Sequence, residues 1–189
     1  MMDHSLIDTI LTFWFSSPTS ETYGQRQAMW FESSSKIDQK IKMEYEGIYE
    51  EAKKGNLDAF QKTPKGILAL ILLFDQFPRN MFRGSKKAFE TDTQARVLAQ
   101  KAIDLGFDQA LPAFMRPFIY LPFEHSENLE DQAYSVSLFD SLGDKTFLDY
   151  ALMHQDVIKR FGRFPFRNES LQRESTPEEI SFMKEPRKF

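Results

Sequence analysis

Apolar positions recur every three or four residues along nearly the whole chain. Leu6, Ile7, Ile10, Leu11 and Trp14 keep that spacing in the first segment, the pattern of an amphipathic helix. Over 35–54, Ile37, Ile41, Tyr45 and Ile48 share one face, and Lys53-Lys54-Gly55 closes the segment with basic residues and a helix-ending glycine. Pro64 stands at a first helical turn, and the helix it opens is expected to run to a break at Phe77-Pro78. Within it lies ILALILLF, 67–74. That run is far short of the roughly 20 residues that cross a bilayer, so it reads as a buried core helix.

The second half continues in the same period. Residues 91–105 open with Thr91 and Gln94 at capping-box spacing and close before Gly106. Leu111 to Phe123 is apolar but carries Pro112, Pro117 and Pro122, which predicts short or kinked pieces. Segments 128–142 and 145–162 end at Gly143 and Gly162, and Ser126 or Asn128 is placed to cap the first of them. TPEE at 176–179 supplies an N-cap Thr, an N1 Pro and an N3 Glu. No segment alternates apolar with polar, so no sheet is expected. The reading is a single all-α domain over 1–189, with seven or eight helices in antiparallel pairs and a charged tail at 184–189 expected to fray.

Composition narrows the classes. Of 189 residues 41% are hydrophobic and 14% aromatic, with 19 phenylalanines, a globular balance. The absence of Cys excludes disulfide and thiolate chemistry and fits a reducing compartment. A formal charge of −4 argues against general nucleic-acid binding. The opening MMDHSLIDTILTFWF lacks the basic stretch and cleavage site of a secretion signal. A soluble cytoplasmic protein is expected, with neither a nucleic-acid nor a membrane partner.

Four stretches carry candidate chemistry. In FDQFPRNMFRG, Asp75 follows Leu68, Ile71 and Leu72 on an inward face, where a carboxylate is costly unless paired. Arg79 and Arg83 are close enough in sequence to pair with it, and Gln76 and Asn80 to satisfy what remains. A structural polar network is the plainer reading of this group, a ligand site the sharper one. In LPFEHSENLEDQ, Glu124, Glu127, Glu130 and Asp131 gather at a helix start, and no capping rule calls for His125 beside them. A solvent-facing His is the ordinary explanation; a His with a carboxylate orienter is the functional one. His154 falls in the apolar stripe Phe147, Ala151, Ile158, Phe161, where a satisfied core histidine is commoner than a ligand. Finally, Lys159, Arg160, Arg163, Arg167 and Arg173 form the most basic segment. They either clamp an anion with planar forks or pair internally with the acidic 124–131 segment. The chain has no Gly-rich phosphate loop, His-Glu-x-x-His, Gly-x-Ser-x-Gly or Cys cluster.

FDQFPRN at 74–80 and FGRFPFRN at 161–168 are the one internal echo, each Phe-Pro followed by Arg-Asn. With FWF at 13–15, WF at 30–31, AF at 88–89 followed by TD at 91–92, LPFEHSE at 121–127 and His154, they make a set. In order and along almost the whole chain, to LQREST at 171–176, this set resembles the bacterial "domain of unknown function 924" family. The resemblance implies an all-α, tetratricopeptide-like right-handed array of helix pairs, and no known activity. The family's last motif more often carries His after Phe-Pro, where this chain has Phe166, which weakens any three-histidine site.

Three functions fit. The first is a pocket, enzymatic or not, for a small anionic or polar ligand. Asp75, Gln76, Arg79, Asn80, Arg83, Glu124, His125, Glu127, His154, Arg163, Arg167 and Asn168 would line it, the arginines clamping the anion. His125, His154, Glu127 and Asp75 are the candidates for proton chemistry. The second is a helical scaffold for a peptide or protein partner. The third is a metal-dependent hydrolase using His125, His154 and nearby carboxylates, although no pair has the tight spacing of metal ligands; no cofactor is expected.

Overall fold

The structure of the chain, a computed structural model, describes residues 2–30, 32 and 34–185. All regular structure among them is helical: α1 (Met2–Phe15), α2 (Ser35–Lys53), α3 (Pro64–Ile71), α4 (Phe77–Met81), α5 (Asp92–Asp104), α6 (Pro117–Glu124), α7 (Leu129–Leu142), α8 (Lys145–Phe161) and α9 (Pro177–Met183). Short 3₁₀ turns, among them Ala28–Trp30, Lys86–Phe89 and Pro165–Arg167, join them. A π-helical turn, Leu72–Gln76, links α3 to α4, so the two form one rod and the described residues hold eight rods and no strand. The expected tail at 184–189 falls mostly outside the described residues.

Most boundaries have local causes. Ser34, Asn128 and Asp144 accept backbone N–H groups at the starts of α2, α7 and α8, and Thr176 and Glu179 complete a capping box on α9. Gly143 and Gly162 end α7 and α8 in the left-handed region, at φ 75° and 68°, which glycine enters without a Cβ penalty.

Two boundaries depart from expectation. The helix from Pro64 does not stop at Phe77-Pro78. Pro78 has no N–H for the Phe74 carbonyl and its ring crowds that carbonyl. The helix widens by one residue instead, the Phe77 N–H reaching back to the Leu72 carbonyl. Thr91 Oγ1 then donates to the orphaned Phe74 carbonyl at 2.7 Å. Thr91 makes no side-chain cap on α5, contrary to the capping-box reading; its side chain is turned to the Phe74 carbonyl instead.

α3 is the centre of the core. Gly66 to Ile71 are all buried, and the helix packs on α1, α5 and α6, while α6, α7 and α8 pack in sequence. Rings fill the space around it: Trp14, Phe15, Phe77 and Phe118 are each at most 1% exposed. Burying each such side chain is worth about 1.5–3 kcal/mol. This aromatic layer also fixes one wall of the site. Trp30 packs edge-on against Phe15 and Phe118, and its indole N–H donates to the Trp14 carbonyl at 2.9 Å.

Candidate functional site

Two short local structures bring the polar groups together. The π turn carries Asp75 and Gln76, and its widened backbone sets Asp75 fully inside the protein. α6 contains Pro122 and stops two residues later, leaving Glu124 as its last residue and His125 as its C-cap. Gln132 Nε2 ties down that end by donating to the carbonyls of Glu124 and Ser126 at 2.6 and 2.7 Å. α8 adds His154 from the opposite side.

His125 Nδ1 lies 2.8 Å from Asp75 Oδ1 and 3.0 Å from Oδ2. Gln76 Nε2 donates to Asp75 Oδ2 at 2.6 Å, and Arg79 Nη1 stands 3.2 Å from Oδ1. Burial opposes ionisation of Asp75, but Arg79 and the donors from His125 and Gln76 outweigh it and hold the carboxyl well below its usual range. Burial, reinforced by Arg79, pushes His125 below the usual imidazole range against the pull of Asp75. The pair is therefore an aspartate accepting from a neutral imidazole, with Nδ1 carrying the proton. That leaves Nε2 as the basic nitrogen.

Glu124 is 3% exposed. Burial, then the nearby Asp75 charge, raise its pKa to about 8. Its Oε1 lies 3.4 Å from His154 Nδ1, but that nitrogen bonds the Tyr150 carbonyl at 2.9 Å. Burial lowers His154 to about 3, so the contact joins two neutral groups and is no ion pair. Glu124 Oε2 is buried with no hydrogen-bond partner. Such an atom costs about 1–3 kcal/mol when left unsatisfied.

Glu124, His125, His154 and Gln76 share a cavity of about 230 Å³ with Trp30, Leu121, Phe147 and Tyr150. At neutral pH these polar groups are uncharged. The charges stand behind them. Arg79 grips Asp92 with two bonds of 2.9 and 3.0 Å and donates to the Asp75 carbonyl at 2.6 Å. Arg167 donates to the His125 carbonyl at 2.9 Å, lies 3.5 Å from Asp92, and sits over the rings of Phe89 and Phe164.

The remaining candidates lie elsewhere. Asn80 and Arg83 both bond Asp38 and clasp α4 to α2. Glu127 takes two bonds from Arg173 and one from the Phe164 N–H. Arg163 and Asn168 bond Glu179 on α9, and Arg160 bonds Glu178. The internal partners of the basic segment are thus mainly α9 acids and Asp92, with Arg173 alone taking an acid of 124–131. Phe166 packs against Phe182 and does not line the cavity. Asp92, Gln132 and the aromatic wall were not among the sequence's site candidates. Each has an ordinary local explanation, as a helix-start acid or a core residue, and the TD and WF motifs that contain Asp92 and Trp30 assign them no role.

Among the described residues no group of three or more His, Asp or Glu is placed to hold a metal ion. Nor is any helix there long and apolar enough to cross a membrane.

The all-helical chain has a known family and a structural counterpart. Residues 10–187 match the family described as bacterial protein of unknown function, DUF924, and the chain belongs to it. It is similar to a solved structure of a protein of unknown function from Agrobacterium tumefaciens, with 36% identity and a TM-score of 0.86 over 97% of this chain and 99% of that one. No curated protein matches it.

Proposed function

We propose that the chain binds a small, uncharged, hydrogen-bonding molecule in the cavity between α6, α8 and the π turn. The observation that carries this reading is Glu124: a buried carboxyl, on the wall of a cavity, with an oxygen that has no partner in the protein. A ligand that bonds it recovers what burial lost. Opposite polarity is available at His125, and Trp30, Leu121, Phe147 and Tyr150 offer apolar faces for the ligand's carbon skeleton.

The sequence left the ligand's charge open. Arg79 and Arg167 hold Asp75, Asp92 and the His125 carbonyl rather than lining the cavity. An anion there would lose its hydration against neutral walls with no cation in contact. The scaffold alternative has less support: among the described residues the exposed large hydrophobics Met43, Val97, Leu105, Leu129, Leu152 and Ile180 are spread over five helices, with only Val97 and Leu105 sharing one, the latter as its C-cap.

Ligand-observed NMR tests the reading. The panel sets uncharged polyols and hydroxycarbonyls of three to five carbons against carboxylates and phosphates of similar size. Neutral compounds should bind the wild type and not a folded Leu121→Trp variant, whose indole fills the cavity. Binding of anions alone, or equal binding by the filled variant, would refute it.

A further inference from the structure

We infer that the cavity performs proton transfer on a small hydroxycarbonyl compound, with His125 Nε2 as the base and the Glu124 carboxyl as the acid. This rests on the binding reading above and deepens it.

The geometry has the parts such a reaction needs. Asp75 holds His125 through Nδ1, the arrangement that fixes an imidazole's tautomer and ring plane and turns the other nitrogen to the substrate. Glu124 follows directly in sequence at the end of α6 and lines the same cavity, with its Oε2 buried and unpartnered. Buried in this way it keeps its proton at neutral pH, while His125 keeps its lone pair. Two adjacent groups whose environments push them to opposite roles are a recognised sign of an acid–base pair. The charged and titratable groups facing them are Asp75, Arg79, Arg167, His154 and Tyr150.

The lining also limits the chemistry. Among the described residues it has no Ser, Thr, Cys or Lys side chain for covalent attack. A proton shift next to a carbonyl needs none. His125 Nε2 takes the proton from the carbon bearing the hydroxyl, as the Glu124 carboxyl gives its proton to the carbonyl oxygen, producing an enediol, an imidazolium and a carboxylate. In the second half the carboxylate takes the proton of the other hydroxyl and the imidazolium returns its proton to the former carbonyl carbon. Both groups are restored, and hydroxyl and carbonyl have changed places.

The test follows carbon-bound hydrogen exchange by proton NMR in D₂O, with dihydroxyacetone and glyceraldehyde as probes. Glu124→Gln keeps the shape and neutrality of the protonated acid but cannot release a proton. It should retain probe binding within about threefold and lose exchange by roughly 10²–10⁴-fold. Asp75→Asn, at a positioning residue, should lower exchange and distort its pH profile. That profile in the wild type should fall below pH 6.5 as His125 protonates and again above about 8 as Glu124 ionises. Probe binding without exchange above the buffer rate, or full exchange by Glu124→Gln, would overturn the acid–base assignment and leave the binding reading standing. Failure of both probes to bind would overturn the two together.

Discussion

Arg79 and Arg167, the arginines of the two Phe-Pro echoes, meet on one carboxylate: Asp92 is bonded twice by Arg79, at 2.9 and 3.0 Å, and lies 3.5 Å from Arg167. The asparagines that follow them part company, Asn80 going to Asp38 and Asn168 to Ser175 and Glu179. The echo therefore has a shared half and a divergent half. Its shared half backs the site, because Arg79 also holds Asp75 and Arg167 holds the His125 carbonyl.

Asp92→Ala should cost about 3–5 kcal/mol, since it leaves two largely buried guanidiniums short of their counter-charge. Arg83→Ala should cost less than about 1 kcal/mol, because Arg83 pairs with Asp38 in a half-exposed position. Urea unfolding of the two variants checks the contrast. Equal effects would mean that burial of the Asp92 cluster is not what holds it together.

The π turn yields a coupled prediction. Thr91→Val deprives the Phe74 carbonyl of its donor and should destabilise the chain by about 1–3 kcal/mol. Pro78→Ala supplies a backbone N–H for that carbonyl. In the Pro78→Ala background the Thr91→Val penalty should shrink by at least 0.5 kcal/mol, on the order expected for partners in one network. A double-mutant cycle measures it directly, and strict additivity would break the link between the two residues.

Glu124 makes stability depend on pH. Its carboxyl ionises near 4.5 when unfolded and about 8 when folded. The raised value means that its contribution is complete below pH 4.5 and is lost as pH rises from there to 8. Glu124→Gln has no proton to lose. It should match the wild type near pH 4.5 and exceed it by a few kcal/mol at pH 7.5, or about 5 °C or more in Tm. His154 works on the other limb: lowered by burial to about 3, it contributes fully above pH 6.5 and its contribution fades as pH falls below that. Thermal melts across pH 4–9 resolve both limbs. A Glu124→Gln variant with an unchanged pH slope would show that Glu124 ionises normally.

The helices were legible because each has a local signature: the period of Leu6 to Trp14, the Asn128 cap, the glycines at 143 and 162. The continuation past Pro78 was not, because it depends on a hydroxyl 17 residues away that reaches the Phe74 carbonyl. Within the site, Asp75 stood out as a carboxylate on an inward face, and His125 as an imidazole no cap requires. Asp92 did not, since an acid at a helix start already has a reason to be there. Arg83 was grouped with Asp75 by sequence proximity, yet the helical turn after Pro78 carries it to Asp38 on α2. Nothing in a sequence distinguishes a core aromatic from one, such as Phe147, that faces a cavity.

At neutral pH the cavity should offer a proton on Glu124 and a lone pair on His125 Nε2. Carbon-13 NMR of the Glu124 carboxyl and nitrogen-15 NMR of the His125 ring, followed against pH in one sample, test it most directly. The Glu124 midpoint should lie near 8, and His125 should be neutral at pH 7 with its proton on Nδ1. A Glu124 midpoint in the ordinary carboxylate range, or a doubly protonated His125 at pH 7, would contradict it.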